Sequence, residues 1–518
     1  MSVSASSSQA RPLLILAALF LLSLPLVTTR IYASDEVQYF SYLRSLWFDR
    51  DVSFENEYRH FYESGVVGYP GFHETFLERE TATGRRETFA TMGSALLWSP
   101  FYAVADVTVR VRRALGDSSI AANGYSQPYV SAVAYGSAVY GWLSLVLSMA
   151  IARRVFGDRV VAVGGADGVP LALIAAIAVW IGTPLFFYMY IAPPMSHACS
   201  AFATALFVLV WLRVRERWSL RGLIALGALA ALLAMVREQD VFVAIGPAID
   251  WLVTFVRRVR ASGTARDGRA AGGSHWMTLV VNAAAGVVAF AIAFAPQLMA
   301  YQAINGHPSP SRLVARKMSW MSPHGLQVLG SPQHGLLFWT PLVLLSLAGL
   351  ACLVFIRGDD RDHDNRSRLH DRSLIGICLM LMVATQVYVA GSVESWTVAG
   401  AFGQRRFVGL SAIFAIGLVA FLRALPARWP RRVALAVAAV AVWWNLGLMA
   451  QFGAGLMDRQ RLELSRNAYQ TFVTIPRRLP DLVYRYVFER RTFFKGPSSV
   501  GPSSGGPSSA GPSSGGAA

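Results

Sequence analysis

The chain has 518 residues, of which 54% are hydrophobic and only 15% charged, with a formal net charge of +17. The charges fall in short clusters between long apolar runs, which excludes a soluble multidomain protein and points to a polytopic membrane protein. The excess positive charge is almost all Arg beside apolar runs, so it reports membrane orientation and excludes a nucleic-acid partner.

The first apolar run, "LLILAALFLLSLPLV", is long for a cleaved signal peptide and has no small-x-small pair before Asp35. It reads as a retained first helix. Further spans are expected at 129–151, 160–182, 197–212, 222–236, 240–256, 277–298, 336–356, 373–391, 407–422 and 433–450, making eleven with 12–29. The expected fold is all-α, with about eleven transmembrane helices and a long first extracytoplasmic loop. With residues 1–11 inside, the inner loops carry nearly half of the 47 lysines and arginines, as the positive-inside rule requires. Cys199, Cys352 and Cys378 each lie inside an apolar run, where neither a disulfide framework nor a metal-ligand spacing can form.

Residues 31–128, the first outer loop, hold nine arginines and thirteen carboxylates. The loop opens on "SDEVQYFSYLRSLW", where Ser34 is the expected N-cap and Asp35 and Glu36 complement the helix dipole. Tyr39, Leu43, Leu46 and Trp47 would form an apolar stripe on the membrane. Within the loop, "ALLWSPFYAVADVTVRVRR" is too interrupted for a span. It is expected to lie in the outer interface with Trp98, Phe101 and Tyr102 at headgroup depth.

Later polar clusters fall on the same outer side. They include His197 in "PMSHA", Arg237 in "MVREQD", Arg316 and Lys317 in "VARKMSW", and His334 in "GSPQHG". Arg405 and Arg406 in "FGQRRF" run against the positive-inside trend. Paired arginines there suit a phosphate, whose oxygens a guanidinium binds bidentately. In isolation, His197 reads first as a capping or interfacial histidine, and Arg237 equally as a solvated turn residue. The basic segment 456–495 conflicts with the charge rule, since eleven spans place it outside. The tail 496–518 is a Gly/Pro/Ser array that cannot bury a core.

Taken in order, the acids of "SDE", the interfacial "LWSPFY", "ARRVFGD", "PMSHA", "GSPQHGLLFWTP" and "FGQRRF" resemble the GT-C superfamily of membrane glycosyltransferases. Protein O-mannosyltransferases and lipid A aminoarabinose transferases belong to that class, and the likeness spans residues 12–455. The resemblance implies transfer of a sugar from a polyprenyl-phosphate carrier to a glycan, lipid or protein acceptor on the extracytoplasmic face, with inversion. It implies Asp35 as general base; the high Arg content with only two lysines, Lys317 and Lys495, points to a GC-rich bacterial source, so a bacterial cytoplasmic membrane is the expected location. Arg405 and Arg406, then Arg237, Lys317 and His197, would hold the donor phosphate. Some members use a divalent cation, Mg or Mn; Glu36, Glu55 and Glu57 are the candidate ligands here. The competing reading is a transporter or flippase of a lipid-linked sugar. Apolar runs nearly free of charge and the absence of duplicated halves weigh against it.

Overall fold

The computed structural model describes residues 3–157, 162–163, 169–264, 274–321, 323–355, 363–426, 429–490 and 493. The expected tail at 496–518 lies outside the described residues, as do parts of the inner loops 152–160, 257–276, 357–372 and 423–432.

Every expected span meets one apolar helix. Gln127–Phe156, His197–Val214, Glu238–Ala261, Trp276–Asn305, Asp371–Ser392, Arg405–Ala424 and Trp429–Ala454 are long and apolar enough to cross a membrane. Ala10–Leu26, Leu171–Gly182, Leu220–Val236 and Leu342–Val354 are shorter apolar helices in the remaining four places. Close crossings bind the bundle: a Cβ on Gly349 would stand 1.8 Å from the carbonyl oxygen of Gly417, and one on Gly227 1.9 Å from that of Gly286. Small residues at these points let two backbones touch.

Hydrogen bonds gather several of the connections at two ends of the bundle. At one end, Thr28 N–H donates to the Tyr190 carbonyl (2.7 Å) and Thr91 to that of Val236 (3.0 Å). Thr81 donates to the Ile304 carbonyl (2.6 Å) and Gln404 to that of His334 (3.2 Å). The disputed C-terminal segment joins this end. Its helix Ile475–Phe488 sets the Tyr486 hydroxyl on the Leu26 carbonyl (2.9 Å), and Arg490 donates to the carbonyls of Val27 (2.9 Å) and Pro25 (2.7 Å). At the opposite end, Arg154 donates to the Leu212 carbonyl (3.0 Å) and Arg431 to that of Leu422 (2.9 Å).

The first loop departs from expectation. It folds around an aromatic core of its own, including Phe40, Tyr42, Phe54, Tyr58 and Phe72, which rests on Tyr129, Val133, Met235 and Ile304 of the bundle. Helix Gly93–Ala114 exists, but Trp98 and Tyr102 are fully buried rather than at headgroup depth. Trp98 donates to the Ser137 hydroxyl (2.8 Å) and Tyr102 to the Gly124 carbonyl (2.8 Å). These polar tips found partners inside the protein, so nothing drives them to the headgroups. Leu96, Val104, Val107 and Val111 are the outward apolar face instead.

Helix Ser34–Arg44 likewise buries Val37, Phe40 and Leu43 against that core, while Trp47 is partly exposed. The stripe expected from Tyr39, Leu43, Leu46 and Trp47 is therefore turned, because the helix faces a protein core rather than lipid.

Candidate active site

The first turn of helix Ser34–Arg44 separates the two adjacent acids. Its N-cap is Ala33, in extended conformation, one residue earlier than the expected Ser34. Glu36 thereby becomes the third helical residue and folds back, its carboxylate accepting the N–H groups of Tyr32 (2.8 Å) and Ala33 (3.2 Å). Alanine offers no side-chain oxygen, so only the acidic half of a capping box is made. Glu36 is fully buried, and that burial pushes its carboxyl up to about 8, against the two backbone donors that favour the anion. It is a capping residue. Asp35, one step round the helix, points into a cavity.

That cavity, of about 300 Å3, is lined by Tyr32, Ser34, Asp35, Tyr69, Phe187, Tyr188, Met195, Phe402, Arg405, Phe452 and Arg459 among others. Asp35 is the one carboxylate in its lining among the described residues. Across the cavity Arg405 donates from Nη1 to Asp35 Oδ2 at 2.7 Å, with the two side chains 22% and 38% exposed. Arg405 makes no other side-chain hydrogen bond among the described residues, so its remaining N–H groups are available to a ligand. A turn with left-handed backbone at Val398, Gly400 and Gly403 leads up to Arg405. Glycine is required at 403, where φ is 61° and a Cβ would stand 2.6 Å from Pro184 Cγ.

The structure brings most of the expected phosphate-binding residues into one neighbourhood. Arg406 is buried behind Arg405 and donates to the Ser395 carbonyl (3.0 Å) and hydroxyl (3.3 Å). Its electrostatic neighbours are Arg405, Arg237 and Asp35. Arg237 has Nη1 buried without a hydrogen-bond partner among the described residues. His197 is buried behind Tyr188, with ring centroids 4.3 Å apart, and is in electrostatic reach of Arg237, Arg405 and Arg406. Arg406, Arg237 and His197 thus surround the cavity from behind and do not line it. Lys317 is set apart: it is exposed, its ammonium 5.3 Å from the Phe89 ring centroid, and it does not line the cavity.

The three acids considered for a cation are engaged separately. Glu36 caps its helix, Glu55 pairs with Arg59 (2.7 Å) and Arg86 (3.2 Å), and Glu57 is buried against Arg44 (2.9 Å). Among the described residues no group of three or more His, Cys, Asp or Glu is placed to hold a metal ion. Held apart in this way, Glu36, Glu55 and Glu57 do not form a joint metal site.

The residues that sequence reasoning passed over are the aromatic walls and Arg459. Arg459 lies on the Phe452 ring, 4.6 Å from its centroid, and reaches the cavity from the C-terminal segment. That strand of chain is held in place by Leu462 N–H donating to the Pro332 carbonyl (3.0 Å). The signal in the sequence is a basic run after the last span, which the positive-inside rule weighs only as membrane orientation.

Glu36 carries a testable pH signature. With its folded value near 8 against an ordinary value of 4.5, the native state holds an extra proton between those limits. That contribution to stability is complete below about pH 4.5 and is lost as pH rises through about 8. Glu36→Gln cannot titrate, so its Tm should fall less than that of the wild type between pH 6 and 9. Parallel Tm profiles would refute the assignment.

No protein-family model and no curated protein sequence matches the chain. Its fold is similar to that in the crystal structure of ArnT from Cupriavidus metallidurans bound to undecaprenyl phosphate. The TM-score is 0.51 at 14% sequence identity, over 94% of this chain and 73% of that one. The chain thus shares the overall fold of that structure, and its long apolar helices make it a polytopic membrane protein.

Proposed function

We propose that the protein transfers a glycosyl group from a polyprenyl-phosphate donor to an acceptor hydroxyl on the extracytoplasmic face, with inversion. The observation that carries this reading is the Asp35–Arg405 pair, which joins the cavity's carboxylate to a guanidinium with donors to spare. The neighbour's bound undecaprenyl phosphate supports a lipid-phosphate carrier as the donor.

The chemistry follows from the charges. Asp35 takes the acceptor's hydroxyl proton as its oxygen attacks the anomeric carbon. The bond from that carbon to the phosphate oxygen breaks, and its electron pair stays on the phosphate. The phosphodiester monoanion thereby becomes a phosphomonoester dianion. Arg405 meets the charge that develops, with Arg406 and Arg237 raising the positive potential behind it. The aromatic walls Phe187, Tyr188, Phe402 and Phe452 exclude water and strengthen these interactions.

The test is a panel of radiolabelled polyprenyl-phosphate sugars presented to the purified protein in lipid, with a glycan and membrane extract as acceptor. Label moved by the protein establishes the class and the sugar, and a parallel reaction with chelator tests the Mg or Mn expected from the resemblance. No transfer with any donor would overturn the reading. Arg459→Ala should weaken use of the donor about 10-fold or more, on the scale of one charge-assisted contact. A variant with an unchanged KM for the donor would remove Arg459 from the site.

A further inference from the structure

The pairing of Asp35 with Arg405 has a consequence for product binding. A base and a phosphate-binding cation are usually thought of as separate devices, yet here they are 2.7 Å apart and share one ion pair. Asp35 is the sole carboxylate of the cavity lining among the described residues, and the nearby Arg406 and Arg237 add positive charge without a second acid in the lining. We propose that the Asp35–Arg405 ion pair is a charge hand-over. Resting on the transfer reading above, it makes affinity for the lipid phosphate depend on whether Asp35 is charged.

While Asp35 is an anion, it neutralises much of Arg405, and the donor brings a single negative charge. When Asp35 accepts the acceptor's proton it becomes neutral, and Arg405 is left uncompensated. At the same moment the breaking glycosidic bond leaves a second negative charge on the phosphate. The total charge of acid, donor and acceptor is −2 before the step and −2 after it. What changes is position: one unit moves from Asp35, which Arg405 already contacts, to the phosphate. Because Arg405 spends one N–H on Asp35 and makes no other side-chain hydrogen bond among the described residues, it can turn to the phosphate without breaking a further contact. The cation is thus held back from the donor ground state and released to the leaving group, which is the differential binding that lowers a barrier. Release of the lipid phosphate is then tied to Asp35 losing its proton, so the enzyme resets by reclosing the pair.

The hand-over predicts an effect opposite to the loss of catalysis. Removing the charge of Asp35 should tighten binding of the product-like lipid. The probe is undecaprenyl phosphate, titrated into the full-length protein in nanodiscs of neutral lipid. Asp35→Asn and Asp35→Ala should each bind it at least 5-fold more tightly than wild type. Asp35→Ala guards against a new hydrogen bond from the introduced amide, and Tm values confirm that each variant is folded. Arg405→Ala should bind it at least 10-fold more weakly, and the double variant Asp35→Asn/Arg405→Ala no more tightly than Arg405→Ala alone. If both Asp35 variants bind as wild type does while Arg405→Ala is weakened, the hand-over is overturned and the transfer reading stands. Tightening that persists in the double variant would also overturn it, since Arg405 would not be the carrier of the effect. If wild type does not bind undecaprenyl phosphate at all, the transfer reading fails and the hand-over with it.

Discussion

Asp35→Asn is expected to lower glycosyl transfer by about 10²–10⁴-fold, the range for loss of a positioned general base, while the protein keeps its fold. The substitution is isosteric, and the Asp35 side chain is 38% exposed at the cavity wall, so no core contact is lost. The helix start does not depend on it either, since Glu36 makes the capping contacts to Tyr32 and Ala33. Among the described residues no other carboxylate lines the cavity to take over the proton. The measurement is single-turnover transfer with the donor found active in the panel, alongside Tm. A rate within a few fold of wild type would remove Asp35 from the base role, and a collapse of Tm would make its role structural. Glu36→Gln is the matched control: it stands next in sequence, and its effect should appear in the pH dependence of Tm rather than in the rate.

The contrast between these neighbours shows what the sequence could and could not convey. In "ASDEVQ" the two acids look equivalent, and either could be base, cap or ligand. The N-cap register decides between them: beginning at Ala33 rather than Ser34 turns Glu36 inward to its own backbone and Asp35 outward. That one-residue choice is set by how the loop packs, which the local pattern does not encode. The eleven spans were legible because a bilayer imposes its thickness on every apolar run, and the arginine clusters mark the ends. The first loop was legible only as non-membrane. Its aromatic core arises from contacts among residues 31–109 and distant bundle positions such as Ile304, and no short-range period announces these. Arg405 was legible as a cation on the unexpected side. Its partner Asp35 lies 370 residues away in sequence, and only their common place at helix ends on one face suggested a shared site. Arg459 was hidden by the same rule that found the spans, because a basic run beside a membrane has a sufficient explanation without chemistry.

Asp250→Ala tests the opposite end of the bundle and should cost about 3–5 kcal/mol of stability, as expected when one member of a buried ion pair is removed. Asp250 lies within the span Glu238–Ala261 and is almost wholly buried. An apolar reading of residues 240–256 gives this acid no partner. In the folded protein it accepts Nε1–H of Trp211 (2.9 Å) and two N–H groups of Arg215 (2.7 and 3.1 Å), and Arg215 also reaches Asp371 (2.8 Å). Three helices, His197–Val214, Glu238–Ala261 and Asp371–Ser392, are thereby tied together. Alanine would strand the Trp211 donor and leave Arg215 with only the half-exposed Asp371, so the loss exceeds that of a surface pair. Asp250→Asn keeps an acceptor for Trp211 and should recover part of the difference. The readout is the unfolding midpoint of full-length protein in detergent or lipid, measured beside the transfer rate per folded molecule. Because Asp250 is outside the cavity lining, that rate should stay near wild type while the midpoint falls. A midpoint unchanged in Asp250→Ala would mean that the cluster is hydrated and weakly coupled. A rate that falls with the midpoint intact would mean that the two ends of the bundle are coupled, since the same helix that carries Asp250 begins beside Arg237.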